Sequence, residues 1–155
     1  MHCLIRMRFA GRTLLKFAEG KQICADDVVL KSNFLITQGL DNHDLYWLPN
    51  RECIAENMQR IVAFKNFALC GKISGTVHLF HKRKWLKFKN VQNFGLVAES
   101  LKVFYLLKNG KYYLYRSDGS PLLQAIYPDG FDKVCYNKKD DRLLLLCNNK
   151  VHFYD

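Results

Sequence analysis

Between Val103 and Ile126 the chain reads VFYLLK, Asn109-Gly110, KYYLYRS, Asp118-Gly119, SPLLQAI. Three apolar, aromatic and β-branched runs are separated by dipeptides that accept positive φ at both central positions of a type I′ turn. The twist of that turn matches the twist of the strands on either side. The stretch therefore predicts two successive tight hairpins and a three-stranded antiparallel meander, from which the rest of the chain is read outward.

The same alternation of short apolar runs and turn residues continues in both directions. LIRMRF and TLLKF flank Ala10-Gly11-Arg12, a predicted hairpin, and VVL, FLIT and DLYWL follow. ECIAE comes after Pro49-Asn50, then RIVAF, Lys65-Asn66, FALC, a turn over 71–75, VHLF and WLKFK. FGLVAE leads into the meander. After it, Tyr127-Pro128-Asp129-Gly130 makes a looser link to FDKVCYN, and two further turns deliver RLLLLC and VHFYD. No stretch of about twelve residues carries a helical stripe, so the predicted class is all-β.

These runs repeat. DLYW, VHLF, YYLY and VHFY are four versions of one strand, ending on Trp47, Phe80, Tyr115 and Tyr154 at spacings of 33, 35 and 39 residues. Each is preceded by a run of the type FLIT, FALC, FYLL or LLLL, and the loosest link always falls between units. A unit of this length with four short antiparallel strands is a propeller blade. The expectation is one domain over residues 1–155, a small four-bladed β-propeller of four-stranded antiparallel blades. Its blades run roughly over 27–56, 60–89, 94–126 and 131–155. The last has three strands, and TLLKF is expected to add the fourth, so that strands from both termini close the ring and cover its edges. LIRMRF has no place in this scheme. An open stack of repeats, and a plain β-sandwich or barrel, are the competing architectures.

The segment NGKYYLYRSDGSPLLQAIYPDGFDKV, from Asn109 to Val134, resembles a WG repeat. It has that family's order: an N-G-K turn, a short strand, a D-G turn, an apolar strand, then a tyrosine and an aspartate before a final strand. Tyr113-Leu114 stands where the Trp-Gly pair would be, and the resemblance covers one unit well. It implies repeat architecture and a binding scaffold, and it brings no catalytic residues to carry over.

Bulk properties narrow the partners. With 155 residues, 49% of them apolar, the chain has enough material for a real core. No apolar run approaches the roughly 18 residues of a membrane span. Arg6, Arg8 and Arg12 interrupt the N-terminal apolar run, which reads as strand and not as a signal peptide. The six cysteines (Cys3, Cys24, Cys53, Cys70, Cys135, Cys147) contain no C-x-x-C. They read as reduced, buried thiols of a cytoplasmic protein, with no metal and no cofactor. The net charge of +10 draws such a chain to polyanions or to an acidic protein surface.

Catalytic chemistry finds little purchase. His78 and His152 hold the second position of equivalent runs, V-H-L-F and V-H-F-Y, which points to packing; His43 and His81 lie beside turns and His2 is terminal. Asp26-Asp27 and Asp140-Asp141 are adjacent pairs, and neighbours on a strand point to opposite faces. No nucleophile elbow, phosphate loop or dinucleotide fingerprint is present, and the chain is expected not to be an enzyme or to take a small-molecule substrate.

One stretch stands apart. HKRKWLKFKN, residues 81–90, carries five of the ten net positive charges and no acid. On a strand, Leu86 and Phe88 face inward while Trp85, Lys87 and Lys89 face outward together. Lys82, Arg83, Lys84, Trp85, Lys87 and Lys89 are therefore the candidate partner-binding residues, although lysines on an edge strand also deter aggregation. Two functions fit. One is a non-enzymatic protein-binding module, most concretely a small cytosolic inhibitor of the immunity-protein type that neutralises a cognate toxin through an acidic surface. The alternative is RNA or single-stranded DNA binding through residues 81–89.

Overall fold

The computed structural model describes residues 3–9, 12–17, 22–25, 27–39, 42–98 and 100–154, with side chains from residue 28 onward. His2, Ala10-Gly11, Asp26 and the side chains of Cys3 and Cys24 lie outside the described residues. Contacts divide the chain into two compact units, Met1–Ile73 and Ser74–Asp155. Both are antiparallel β, with no helix among the described residues.

In the first unit, β1 (Cys3–Phe9), β2 (Arg12–Phe17) and β3 (Gln22–Ala25) form a sheet in the order β1-β2-β3. A four-stranded sheet follows, β4 (Asp27–Lys31), β5 (Phe34–Gln38), β6 (His43–Trp47) and β7 (Glu52–Met58), again in chain order. β8 (Arg60–Ala63) pairs with β9 (Phe67–Gly71). Phe34, Leu35, Ile36 and Thr37 are buried in succession, as are Phe67, Ala68, Leu69 and Cys70. Strands covered on both faces lose the apolar–polar alternation, which explains why FLIT and FALC read as unbroken runs.

One expectation is corrected here. TLLKF lies within β2, which is hydrogen-bonded to β1 on one side and β3 on the other. A strand has two edges, and both of these are taken, so β2 is not the outer strand of the last sheet. LIRMRF, left without a place in the sequence, is the β1 that occupies one of them.

The second unit holds β10 (Val77–His81) paired with β11 (Lys84–Phe88). Next comes a four-stranded sheet of β12 (Asn93–Ala98), β13 (Val103–Lys108), β14 (Lys111–Arg116) and β15 (Pro121–Leu122). A three-stranded sheet closes the unit, with β16 (Lys133–Asn137), β17 (Arg142–Cys147) and β18 (Lys150–Tyr154).

The meander is present with two changes. Asn109 and Gly110 have φ of 50° and 75° with Lys108 opposite Lys111, a two-residue type I′ hairpin. At Asp118-Gly119 only the glycine has positive φ, at 86°. There the Gly119 N–H donates to Arg116 O at 2.8 Å and the Arg116 N–H to Ser120 O at 2.9 Å, a type I turn with a glycine bulge. Asp118 settles the choice, because its carboxylate accepts from both the backbone N–H and the hydroxyl of Ser120. The third strand is also shorter than PLLQAI suggests. It ends at Leu122, since Leu123 turns to φ 65° and the Tyr127 N–H donates back to Leu123 O.

The central sheet is covered on both faces. On one, Phe104 and Tyr115 stack 5.4 Å apart, and Phe88 of β11 lies 5.1 Å from Tyr115. On the other, Val103, Leu114 and Leu122 join Phe131, Leu143 and Leu145 in a core shared with the last sheet.

Candidate functional site

The basic segment is a hairpin. Across it His78 faces Lys87, Leu79 faces Leu86, Phe80 faces Trp85 and His81 faces Lys84. That register leaves a two-residue turn, Lys82-Arg83, with φ of 49° and 63°. Two-residue hairpins need positive φ at both positions, which Asn-Gly accepts at little cost. Residues with long side chains pay roughly 1–2 kcal/mol each for the left-handed conformation. Two cations are thus held at a strained tip.

Strand alternation then sorts the remaining candidates. Trp85 and Lys87 share one face with Phe80 and His78. The indole ring lies 5.0 Å from the buried Phe80 ring and 6.2 Å from His78, edge-on to the latter. Trp85 is nevertheless 40% exposed, so a core aromatic acts as a platform beneath a solvent-facing one. Lys84, Leu86 and Phe88 share the opposite face. Phe88 is half-buried against Phe104 and Tyr115, with Lys108 Nζ 6.0 Å above its ring. Lys89 follows the strand and is exposed.

Leu86 departs from the inward position expected for it, being 45% exposed. It meets the turn at Gly119, where an added Cβ would clash with Leu86 Cδ1. Five of the six candidates therefore form a tip (Lys82, Arg83) and two faces, with Lys84 on one and Trp85 and Lys87 on the other, and Lys89 lies just past the strand's end. Burial and the neighbouring Lys82 push His81 below its ordinary pKa, with Asp118 acting against them.

Several of the other polar groups have structural partners. His152 Nδ1 and the Tyr127 hydroxyl are hydrogen-bonded at 3.0 Å, and the two rings lie 4.9 Å apart. Asp140 accepts from Asn137 Nδ2, and Asp141 accepts from the Ser100 and Tyr136 hydroxyls. Burial pushes the Cys70 thiol up to about 12, which leaves it protonated and inert. Among the described residues no group of three or more His, Cys, Asp or Glu is placed to hold a metal ion.

The sequence reading missed Phe80 as the platform for Trp85 and Lys108 as a cation beside Phe88. A signal for the first was available in the repeat. Phe80 ends its strand as Trp47 ends the equivalent strand of the previous unit, and Trp47 likewise packs on an aromatic, Phe34, at 5.1 Å.

No protein-family model and no curated protein sequence matches the chain. Solved structures are similar at the level of fold. Hsv2 of Kluyvelomyces marxianus matches with TM-score 0.50 and 10% identity, over 94% of this chain and 53% of its own. The N-terminal domain of Nup159 matches with TM-score 0.43 and 6% identity, over 97% of this chain and 40% of its own. The computationally designed Ika8 protein matches with TM-score 0.43 and 9% identity, over 98% of this chain and 57% of its own. The chain spans about half the length of the solved structures it matches. Hsv2 is a β-propeller, and the architecture of this chain is β-propeller-like.

Proposed function

We propose that this chain is a non-enzymatic protein-binding module whose basic hairpin meets an acidic surface on a protein partner. Its sheets are read as propeller blades, the four repeat units from residue 27 onward supplying the scaffold, and the binding residues are Lys82, Arg83, Lys84, Trp85, Lys87 and Lys89. A cytoplasmic inhibitor of the immunity-protein type, neutralising a toxin by occupying its surface, is the most concrete form of this function.

One observation carries the reading. Lys82 and Arg83 sit at left-handed positions of a tight turn, next to a Trp85 that stays 40% exposed on an aromatic platform. A hairpin without a recognition task gains stability by placing Asn-Gly there. Strain retained in a surface feature is a pointer to function. A fold does not dictate an activity, and the propeller-like architecture supports a scaffold role without naming the partner.

The experiment begins with affinity capture from the native host and mass spectrometry, followed by titration of the recovered partner. Replacing Lys84, Lys87 and Lys89 together by glutamate should weaken binding at least tenfold, mainly through the on-rate. Stability should change by no more than about 0.5 kcal/mol per site. Unchanged affinity for the captured protein overturns the proposal. So does preferential binding of RNA or DNA with a log–log salt slope of roughly −0.7 to −0.9 per phosphate contacted, which would assign the hairpin to nucleic acid.

A further inference from the structure

The strand that carries the basic segment has one edge in use. β11 stands at the end of its sheet and is bonded to β10 alone among the described strands. The turn at Lys82-Arg83 fixes which backbone groups this leaves over. A two-residue type I′ hairpin closes on a pair that exchanges both hydrogen bonds, here His81 and Lys84, and such pairs alternate along an antiparallel ladder. Leu86 with Leu79 and Phe88 with Val77 are therefore bonded pairs, whereas Trp85 with Phe80 and Lys87 with His78 are not. The N–H and C=O of Trp85 and Lys87 point away from β10, and no described residue bonds to them.

The hairpin of β13 and β14 shows where such groups go. With Lys108 and Lys111 closing it, Tyr112, Leu114 and Arg116 are the residues turned away from β13. Leu114 pairs with Leu122 of β15, the Arg116 N–H donates to Ser120 O, and Tyr112 and Phe131 exchange two bonds of 2.8 Å. On β11 the corresponding groups sit in a run, Lys84 to Lys87, that is exposed throughout. Two other edge strands are blunted: β7 carries register shifts against β6 and Asn57 at φ 56°, and β15 has two residues. β11 runs five residues without a bulge.

We propose that an extended acidic segment of the protein partner adds to this edge as a further antiparallel strand, an inference that rests on the reading of the hairpin as the binding site. An unbonded edge is a template for any extended chain, and charge selects which one joins. Residues 81–90 hold five cations and no acid. Like charges opposite one another across a sheet are destabilising and opposite charges stabilising, so this edge repels a second copy of itself and admits carboxylates. Alternation places the complement. The added strand sets acidic residues opposite Lys84 and Lys87, and apolar or small ones opposite the exposed Trp85 and Leu86. The lysines that deter aggregation are then the same lysines that choose the partner.

The full chain is titrated with a fluorescein-labelled peptide, SGEVEVTEGS, whose EVEVTE core runs antiparallel to residues 84–89 with glutamates facing Lys84, Lys87 and Lys89. Anisotropy should show saturable binding. Hydrogen exchange at the Trp85 and Lys87 amides should slow roughly tenfold at saturation, while the Leu86 amide, already bonded to Leu79, changes little. Lys87→Pro removes one outward N–H without touching a bond to β10, a change that edge strands accept. Lys87→Ala removes the same charge and keeps the N–H. The proline variant should bind about tenfold more weakly than the alanine variant, the size of one hydrogen bond left unmade. Equal affinity of the two, or unchanged exchange at Trp85 and Lys87 at saturation, overturns strand addition and leaves the acidic-surface reading in place. The exchange measurement decides the matter on the unaltered chain if Lys87→Pro folds poorly. No binding of the peptide also overturns the proposal. A triple variant K84E/K87E/K89E that binds it as tightly as the parent overturns both the proposal and the reading beneath it.

Discussion

Trp85 lies over Phe80 across the β10–β11 pair, with ring centroids 5.0 Å apart, so a core aromatic and a surface aromatic share one contact. Trp85→Ala should uncover Phe80 and destabilise the protein by about 1 kcal/mol, the usual size of an aromatic pair beyond area burial. Trp85→Phe should restore most of it. For a binding anchor the alanine variant loses roughly 2 kcal/mol or more of affinity, expressed in the off-rate. Denaturant midpoints and dissociation rates, measured on the same variants, separate the two effects.

The turn at Lys82-Arg83 leads to a variant that should gain stability. Replacing the pair by Asn-Gly supplies residues that tolerate the observed φ of 49° and 63°. A gain of about 1 kcal/mol is expected, seen as a higher denaturant midpoint with an unchanged slope. Affinity for an acidic partner should fall in the same variant, because two cations leave the tip.

Glycine substitutions should divide by their surroundings. Gly110 and Gly130 both have φ of 75°, but a Cβ on Gly110 meets nothing within 4 Å, whereas one on Gly130 stands 2.8 Å from Tyr112 O. Gly110→Ala should cost about 1 kcal/mol, from backbone conformation alone. Gly130→Ala should cost roughly 3 kcal/mol, because the obstructing atom is backbone and cannot swing aside. Chemical denaturation of the two variants gives the ratio directly.

Acid should destabilise through identifiable carboxylates. Hydrogen bonds from Ser120 hold Asp118 below the ordinary value of 3.8, the Lys111 ammonium does the same for Asp132, and the Tyr136 and Ser100 hydroxyls for Asp141. For a group whose folded pKa is depressed, the contribution is complete above the unfolded value and is lost as pH falls through the folded one. Stability should therefore drop below about pH 4. Asp118→Asn, Asp132→Asn and Asp141→Asn should each flatten that limb of the melting-temperature profile and leave the neutral region level.

What was legible in the sequence was local. Asn109-Gly110 and Asn148-Asn149 name their turns because positive φ at both positions is a demand on two adjacent residues. Asp118-Gly119 looks the same on paper, yet the Asp118 side chain caps Ser120 and turns it into a different loop. PLLQAI reads as a six-residue strand because an apolar run has the same composition whether it extends or, as at Leu123, turns back. The pairing of TLLKF with LIRMRF was legible from the turn between them, whereas its second partner, β3, was not, since a strand's other edge is taken by whichever segment lies free beside it. Trp85 and the cations around it were singled out from charge and alternation. The exposure of Leu86 was not legible, because alternation along its own strand does not show that its neighbour is the turn at Gly119.

Within each unit every paired strand adjoins its partner along the chain, from β1 with β2 to β17 with β18. Among the described strands contact order is correspondingly low for an all-β protein, because their ladders join neighbours along the chain. A sheet such as β4–β7 has all its strands as soon as residue 58 has been made. Assembly is then compatible with the pace of synthesis, each sheet forming behind the ribosome and offering its face to the next, as in other repeat architectures where order propagates between neighbours.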